Sequence, residues 1–362
     1  MARTRTYLDH NATSPLRPAA RAAMLDALDR VGNASSVHGE GRDAHGLIDE
    51  AREAIARALG VIAPMVIFTS GGSEANNLAI KGAPVERLVV SAIEHPSVLA
   101  AARASGKPVD ILPVDRDGIA DLGALEFVLL DGPKTLISLM LANNETGVIQ
   151  PVREAAAIAQ RHGALLHVDA VQAVGKIPVS FAVLGADLLT VSAHKFGGPQ
   201  GVGALVARDG LALMPLIHGG GQELSRRAGT ENVAGIAGFS AAIAENPREI
   251  SALRDRLESL LDDTIIFGAA SPRLPNVACF ARPGLSAETA LIALDLDGIA
   301  VSSGSACSSG KVAKSHVLAA MGVDPELASC AIRVSLGWNT ELKDIERFGA
   351  AWSKLTGRRI AA

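Results

Sequence analysis

The sequence predicts an α/β protein in which a large, mostly parallel β-sheet is covered on both faces by helices and is followed by a smaller α+β domain. Short runs of apolar residues recur through the first two thirds of the chain, and helical patterns such as Val152–His162 separate several of them. Strands that are apolar throughout are typical of a parallel sheet buried on both faces. After about Glu245 the pattern changes to a charged helix and shorter strands, which indicates a second domain.

The elements follow in chain order. An amphipathic helix is predicted over Gly41–Leu59, because its apolar residues recur at helical spacing. Seven strands are predicted at Met65–Ser70, Arg87–Ala92, Val109–Val114, Thr135–Asn143, Ala164–Ala170, Ala186–Ala193 and Gly201–Ala207. The second domain begins with a helix at Pro247–Asp262 and ends with one at Glu341–Leu355. We therefore expect a large domain over residues 15–249 and a small one built from residues 1–14 and 250–362.

The composition narrows the class of partner. The chain has 362 residues, 48% of them hydrophobic and 20% charged, which is the balance of a folded globular protein. Its formal net charge of −4 supplies no basic field for nucleic acid or anionic lipid, so a small-molecule partner is expected. No apolar run is long enough to span a bilayer, and the amino terminus does not read as a secretory signal. Three cysteines without a CxxC pair predict neither a disulfide framework nor a metal site, and favour a cytoplasmic location.

Ligands of such sheets bind beyond the carboxyl ends of the strands, and chemically useful side chains follow several predicted strands. Lys195 lies between a strand end and two glycines, where partial desolvation would make its amine a Schiff-base nucleophile. The alternative is a lysine that only extends its amine to solvent from a loop. Asp169 ends another strand and could pair with the nitrogen of a pyridine cofactor, with Gln172 on the ring hydroxyl, or it could merely cap a helix.

Two further strand ends carry groups suited to the same kind of cofactor. Asn144 could donate to the ring hydroxyl, or it could simply belong to a turn. Gly72 and Ser73 follow a strand and open a helix, where free backbone N–H groups favour a phosphate. The alternative is a glycine-rich helix start with no ligand, which would give the same sequence pattern. No GxxxxGK[ST] or GxGxxG motif is present, so a monophosphate fits better than ATP or a dinucleotide.

A histidine and an arginine complete this group of candidates. His95 follows a strand and could stack on a ring and move protons, although a histidine at such a position is more often structural. Arg333 lies inside an apolar strand, where burial of a guanidinium requires an anion. A substrate carboxylate would serve, and so would an internal Asp or Glu.

Cys307 lies in a segment of small residues, Ser302–Gly310, with no bulky side chain to cover it. Free cysteines are usually buried and inert. Here exposure and mobility are expected, and a mobile thiol is what a sulfur-accepting nucleophile requires.

Together these segments resemble the cysteine desulfurases, which belong to class V of the fold-type I enzymes that use pyridoxal 5'-phosphate. The resemblance runs in family order over almost the whole chain, and the cysteine segment is similar to the group with a long Gly/Ser-flanked loop that serves iron–sulfur assembly or nitrogen fixation. The matching segments are Tyr7–Thr13, Ser35–His38, Ser73–Asn77, Glu94–Pro96, Asn143–Gly147, His167–Gln172, Ser192–Lys195, Arg226–Thr230 and the segment around Cys307.

The resemblance implies a role for each candidate. Lys195 would hold the cofactor covalently and move the substrate proton, Asp169 would pair with the pyridine nitrogen, and Asn144 and Gln172 would bind the ring hydroxyl. His95 would stack on the ring and assist proton transfer, Arg333 would bind the substrate carboxylate, and Cys307 would carry the persulfide. The phosphate would be held by Gly72, Ser73, Ser192 and His194, with Thr230 reaching in from the second subunit of a homodimer.

The resemblance thus implies that the chain converts L-cysteine to L-alanine and passes the sulfur to an acceptor protein. Two alternatives remain open at this stage. One is a selenocysteine lyase or another class V lyase or aminotransferase. The other is a partner subunit that has lost catalysis, although such a relic would usually lose Lys195 or Cys307, and both are present.

Overall fold

The computed structural model of the chain describes residues 5–130, 132–303 and 314–357. Its helices are α1 Pro18–Leu28, α2 Gly39–Leu59, α3 Gly72–Gly82, α4 Pro96–Arg103, α5 Leu122–Leu129, α6 Val152–Arg161, α7 Phe181–Leu184, α8 Val233–Ile243, α9 Ser251–Glu258, α10 Ala287–Leu296, α11 His316–Ala320, α12 Pro325–Ala328 and α13 Leu342–Leu355. Its strands are β1 Thr6–Tyr7, β2 Val66–Thr69, β3 Arg87–Ser91, β4 Val109–Leu112, β5 Thr135–Ser138, β6 Leu165–Asp169, β7 Leu188–Ser192, β8 Gly203–Ala207, β9 Ile265–Ile266, β10 Val277–Ala281, β11 Ile299–Ala300, β12 Ser302–Ser303 and β13 Ala331–Ser335.

The large sheet has seven strands in the order β2-β8-β7-β6-β5-β3-β4. Every adjacent pair from β7 to β4 is parallel, and β8 alone runs antiparallel to its neighbours β2 and β7. Each of the seven predicted strands has its counterpart here, so the prediction of a large, mostly parallel sheet is confirmed.

Alternate residues of these strands pack on opposite faces of the sheet. Val89 belongs to the core beneath α2, α5, α6 and α8, whereas Leu88 and Val90 belong to the core beneath α3 and α4. Because the side chains of a strand alternate with a period of two, a strand covered on both sides must be apolar at every position. This requirement explains why the sequence shows continuous apolar runs.

Two elements differ most in extent from their predictions. The run Thr135–Asn143 forms a regular strand only to Ser138, although Leu139 and Leu141 continue to donate to the carbonyls of β6. The helix predicted over Pro247–Asp262 is confined to Ser251–Glu258. The Glu249 carboxylate accepts the Ser251 N–H, and this local contact marks where the helix begins.

A second, antiparallel sheet has the order β12-β13-β10-β9. Its core includes an aromatic cluster, in which the Phe280 and Trp352 ring centroids are 5.3 Å apart in an edge-on arrangement. The amino-terminal strand β1 pairs in parallel with β11, so the first described residues lie with the carboxyl-terminal part of the chain. Among the described residues, no helix is long and apolar enough to cross a membrane.

The parallel strands bring their carboxyl ends to one edge of the large sheet. Asp169 is the last residue of β6 and Ser192 the last of β7, while His95 follows β3 and Gly72 follows β2. Residues that are far apart in the sequence therefore meet at this edge, which is where such sheets bind ligands.

His167 in β6 makes the stability of the fold depend on pH. The ring is fully buried between the hydroxyls of Ser138 and Thr190, at 2.9 and 3.0 Å, and burial lowers its pKa to about 4 from 6.5. Because the folded-state pKa is depressed, the stabilisation is complete above pH 6.5 and is lost as the pH falls toward 4. At about 1.4 kcal/mol per pKa unit, His167 should account for about 3 kcal/mol of that loss.

Urea unfolding at several pH values between 6.5 and 4 checks this expectation. The His167→Gln variant should lose less stability across this interval than the unmodified chain, whereas a His45→Gln variant, changed on the exposed face of α2, should lose as much. Equal losses in the His167 variant and the unmodified chain would contradict the prediction.

Candidate active site

A cavity of about 290 Å³ opens at the carboxyl edge of the large sheet. Its walls come from the amino-terminal segment, from the turns after five strands of the large sheet, and from β13 of the second sheet. The lining residues are Asn11, Ala12, Gly72, Ser73, Asn76, His95, Ser97, Met140, Ala142, Asn144, Asp169, Val171, Gln172, Ser192, His194, Lys195 and Arg333.

Lys195 ends a short 3-10 turn, Ala193–Lys195, directly after β7. Its Nζ donates to the carbonyl oxygens of Asn11 and Ala12, at 2.8 Å each. The amine is therefore held inside the cavity by the amino-terminal segment. The interpretation of a lysine extended to solvent is wrong, because the side chain lies between the sheet edge and this segment.

Asp169 presents a buried carboxylate to the same cavity. Its Oδ2 accepts from Asn76 Nδ2 at 2.8 Å, and its Oδ1 accepts from the Val171 N–H at 3.0 Å. Both partners are neutral donors, so they orient the carboxylate and add no positive charge beside it. The side chain can therefore attract a cationic group within the cavity.

His95 lies next to this carboxylate at the start of α4. Its Nδ1 accepts the Ser97 N–H at 3.1 Å and lies 2.7 Å from Ser97 Oγ, which in turn accepts from Asn76 Nδ2. Since Nδ1 is the acceptor, the proton of the neutral ring is on Nε2. Burial lowers the His95 pKa, with further lowering by Lys195 and His316 and an opposing effect of Asp169. A neutral ring with a defined tautomer results.

The turn between β2 and α3 is built to accept an anion. Gly71 has φ +149°, and a Cβ on Gly72 would lie 3.0 Å from Val171 Cγ2, so a side chain at either position would be strained or crowded. Within the described part of the chain no side chain caps this end of α3, which leaves the first N–H groups of the helix available to a ligand. Ser192 and His194 line the cavity as well, and burial lowers the pKa of His194 to about 4.

The structure shows which anion accompanies the buried guanidinium of Arg333. The residue is 1% exposed, its Nη2 pairs with Asp9 Oδ1 at 2.8 Å, and its Nη1 donates to the Asn144 carbonyl at 3.1 Å. An internal acid is therefore present, yet the guanidinium also lines the cavity, and its buried Nε has no hydrogen-bond partner among the described residues. The arginine can thus offer a donor to a carboxylate while Asp9 holds it in place.

Gln172 has an amide whose orientation is determined by its neighbours. Its Oε1 accepts from Lys176 Nζ at 2.5 Å, and its Nε2 donates to the Asn11 carbonyl at 3.0 Å. The second hydrogen on Nε2 remains for a ligand. Asn144 is buried beside it, with its carbonyl accepting from Asn11 Nδ2 at 3.1 Å.

A buried acid flanks the cavity at Glu145. Burial raises its pKa to about 7, against the lowering effects of Ser315, whose Oγ donates to it at 2.5 Å, and of Arg333. Ser315 begins α11 as its capping residue. Glu145 therefore ties the start of α11 to the turn that carries Asn144.

The structure brings together nearly all of the predicted site residues in one cavity. Thr230 is exposed and does not line the cavity of its own chain. Cys307 lies outside the described residues. No group of three or more His, Cys, Asp or Glu side chains that could hold a metal occurs in the described ranges.

The sequence analysis assigned no role to several residues that hold the site together. Asn76 is 1% exposed and lies on α3 one turn after Gly72, so a polar residue on the inner face of that helix was a usable signal. Asn11 contacts Lys195, Gln172 and Lys176 only because β1 pairs with β11. No local pattern of the sequence predicts the pairing of β1 with β11.

The comparisons with known proteins agree with this geometry. Residues 6–348 match the family described as Aminotransferase class-V. A protein named cysteine desulfurase IscS from Dictyoglomus turgidum is 45% identical over 94% of this chain and 91% of its own length. A solved NifS-like protein from Rickettsia africae ESF-5 is 37% identical, with a TM-score of 0.90 over 98% of this chain and all of its own. A structure described as SspA in complex with cysteine is 32% identical, with a TM-score of 0.83 over 92% of this chain and 99% of its own. The chain therefore belongs to the class V aminotransferase family and, within it, to the cysteine desulfurases.

Proposed function

We propose that this enzyme converts L-cysteine to L-alanine and transfers the sulfur, as a persulfide on Cys307, to an acceptor protein that assembles iron–sulfur clusters or other sulfur-containing cofactors. The observation that carries the proposal is the cavity itself, in which an amine, a carboxylate, a neutral imidazole and a guanidinium line one space. A small amino acid with a reactive side chain matches these groups in size and charge.

Pyridoxal phosphate is the cofactor of this family, and the residues present fit it. The uncapped start of α3 suits a phosphate, with Gly72, Ser73, Ser192 and His194 around it. Asp169 would face the pyridine nitrogen, while Gln172 and Asn144 would bind the ring oxygen and His95 would stack on the ring. Lys195 would hold the cofactor until the substrate amine displaces it, and the cofactor would supply an electron-withdrawing ring for the substrate Cα.

The side chains around the substrate Cα would transfer its proton and hold the substrate in place. The Lys195 amine would take the proton from Cα, and the carbonyls of Asn11 and Ala12 keep it within reach of the cavity. His95, with its proton on Nε2, would assist the transfer of protons. Arg333, held by Asp9, would bind the substrate carboxylate through its remaining donors and thereby orient the side-chain sulfur.

Cys307 would perform the sulfur transfer. Its thiolate would attack the substrate sulfur, so that an S–S bond forms and the C–S bond breaks. The electron pair of the broken bond would remain on carbon, which takes a proton and leaves as alanine. The support for this step is the run of small residues around Cys307 and the family to which the chain belongs.

A homodimer in the cytoplasm is part of the same proposal. Thr230 is exposed on its own chain, so it is available to the cavity of a second subunit. The preceding Arg227 pairs with Glu74 in the first turn of α3, at 2.9 Å, which anchors this segment near the proposed phosphate site. The division into a domain of residues 15–249 and one of residues 1–14 and 250–362 also remains our proposal, supported by the separate aromatic core around Phe280.

Product analysis with the purified, cofactor-loaded protein tests the function. Incubation with L-cysteine and a reductant should release alanine and sulfide in equal amounts, because each C–S cleavage yields one of each. L-selenocysteine and pairs of amino and keto acids serve as competing substrates. Preference for selenocysteine, or transfer of an amino group to a keto acid without sulfide, would assign the chain to another class V activity.

A further inference from the structure

Lys176 is a lysine near the cofactor cavity for which the proposed reaction has no use. It lies four residues after Gln172, and its Nζ donates to Gln172 Oε1 at 2.5 Å and to Asn11 Oδ1 at 2.7 Å. The side chain keeps some exposure along its length, but the amine end is enclosed by the protein. Burial of an amine is unfavourable because the amine loses its hydration, so an interaction that compensates for this cost is expected.

Ion pairing does not compensate for the burial of the Lys176 amine. Burial lowers the Lys176 pKa well below its usual value, and the charges of Lys195 and Arg333 lower it further. The charge of Lys176 in turn lowers the pKa values of His10 and His194. The titratable neighbours that act on Lys176 among the described residues are thus bases, and its two hydrogen-bond partners are neutral amides. What the amine supplies is a pair of donors with fixed directions.

Those directions decide how two other residues meet the cofactor. A side-chain amide can be rotated by half a turn with little change in shape, which exchanges its donor and its acceptor. With Lys176 on Oε1, the Gln172 amide must present Nε2 to the Asn11 carbonyl and to the cavity. The same amine holds Asn11 by its side chain, while the Asn11 main-chain carbonyl accepts from Lys195 Nζ.

We infer that Lys176 is a positioning residue, which orients the Gln172 amide as a donor toward the ring oxygen of the cofactor, with its own amine held in place by Asn11. This inference rests on the proposed cofactor site and adds to it a residue outside the cavity lining. Without Lys176, the Asn11 carbonyl still accepts from the Gln172 Nε2, but the Gln172 oxygen loses its donor, so the amide is held by one contact instead of two and is less well oriented toward the cofactor.

A double-mutant cycle on cofactor affinity tests the inference. Cofactor-free protein is titrated with pyridoxal phosphate, and its absorbance gives the dissociation constant for the unmodified chain, K176M, Q172L and the double variant. K176M keeps an unbranched side chain of nearly the same length but removes both donors, and loss of the oriented Gln172 contact should weaken binding about tenfold. If Lys176 acts through Gln172, the double variant should be no weaker than Q172L alone, within about twofold.

Lys107 offers a matched control. It is also partly buried, burial lowers its pKa, and its Nζ donates to a carbonyl, that of Ala83, at 3.0 Å. K107M makes the same chemical change away from the cavity and should leave the dissociation constant unchanged. Should K176M not yield folded protein, K176Q enters the same cycle, since its shorter amide cannot reach both partners.

The outcome separates the inference from the proposed function. Effects of K176M and Q172L that simply add, or an unchanged affinity in K176M, would overturn the positioning role even if the enzyme releases alanine from cysteine. A non-additive pair would support the role, whatever amino acid the enzyme prefers.

Discussion

Replacement of Lys195 by alanine is expected to lower alanine formation from cysteine by roughly 10³-fold or more, since the change removes both the covalent attachment of the cofactor and the proposed proton acceptor. The structure supports this expectation, because Lys195 Nζ is held in the cavity by two carbonyls and lies at the carboxyl end of β7. The measurement is the rate of alanine release under saturating cofactor.

Borohydride reduction of the loaded protein, followed by peptide mapping, gives an independent reading. The cofactor label should be found on Lys195 in the unmodified chain and be absent from the Lys195→Ala variant, while Lys107→Ala retains it. Lys176 also donates to Asn11 and is therefore a second lysine close to the cavity. A label that stays in the Lys195 variant, on Lys176 or elsewhere, would contradict the assignment.

Replacement of Cys307 by alanine is expected to reduce sulfide and alanine release from cysteine by a similar factor, roughly 10³-fold, while cofactor binding is retained. The physical reason is that no other group is proposed to attack the substrate sulfur, so C–S cleavage stops after the substrate has bound. Release of alanine and the persulfide content of the protein, measured by alkylation and mass spectrometry, are the two readouts.

The remaining cysteines provide the controls. Cys279 is fully buried in β10, and burial raises its thiol pKa, while Cys330 is buried with its Sγ donating to the Glu326 carbonyl. Neither should form a persulfide, because a thiol packed inside the protein cannot reach the substrate sulfur. Cys279→Ala and Cys330→Ala should therefore keep most of the sulfide release. A Cys307→Ala protein that releases alanine from cysteine at a near-normal rate would contradict the proposed sulfur transfer.

The success of the sequence analysis at the large sheet has a simple cause. Its strands are covered on both faces, so each appears as a short run of apolar residues, and the polar side chain that follows each run marks the carboxyl edge. Asp169, His95, Lys195 and Gly72 were found in this way, and the sheet order then places them around one cavity.

The environment of Arg333 could not be predicted from strand patterns. A buried arginine in an apolar strand predicts an anion, but the identity of the anion depends on which segment lies opposite. Asp9 reaches it only through the pairing of the amino-terminal segment with the carboxyl-terminal part of the chain, 324 residues away in the sequence. Local sequence carries no signal for a contact of that separation.

What the sequence determined by itself is the set of reactive groups and the edge of the sheet at which they lie, because residue type and strand periodicity are local properties. The tertiary structure alone decided how those groups are oriented. The Asn76 contact to Asp169, the pairing of Arg333 with Asp9 and the contact of the Gln172 amide with the Asn11 carbonyl each depend on a partner supplied by another part of the chain. Hydrogen bonds are directional and short, so the chemistry of this site depends on packing that no local pattern records.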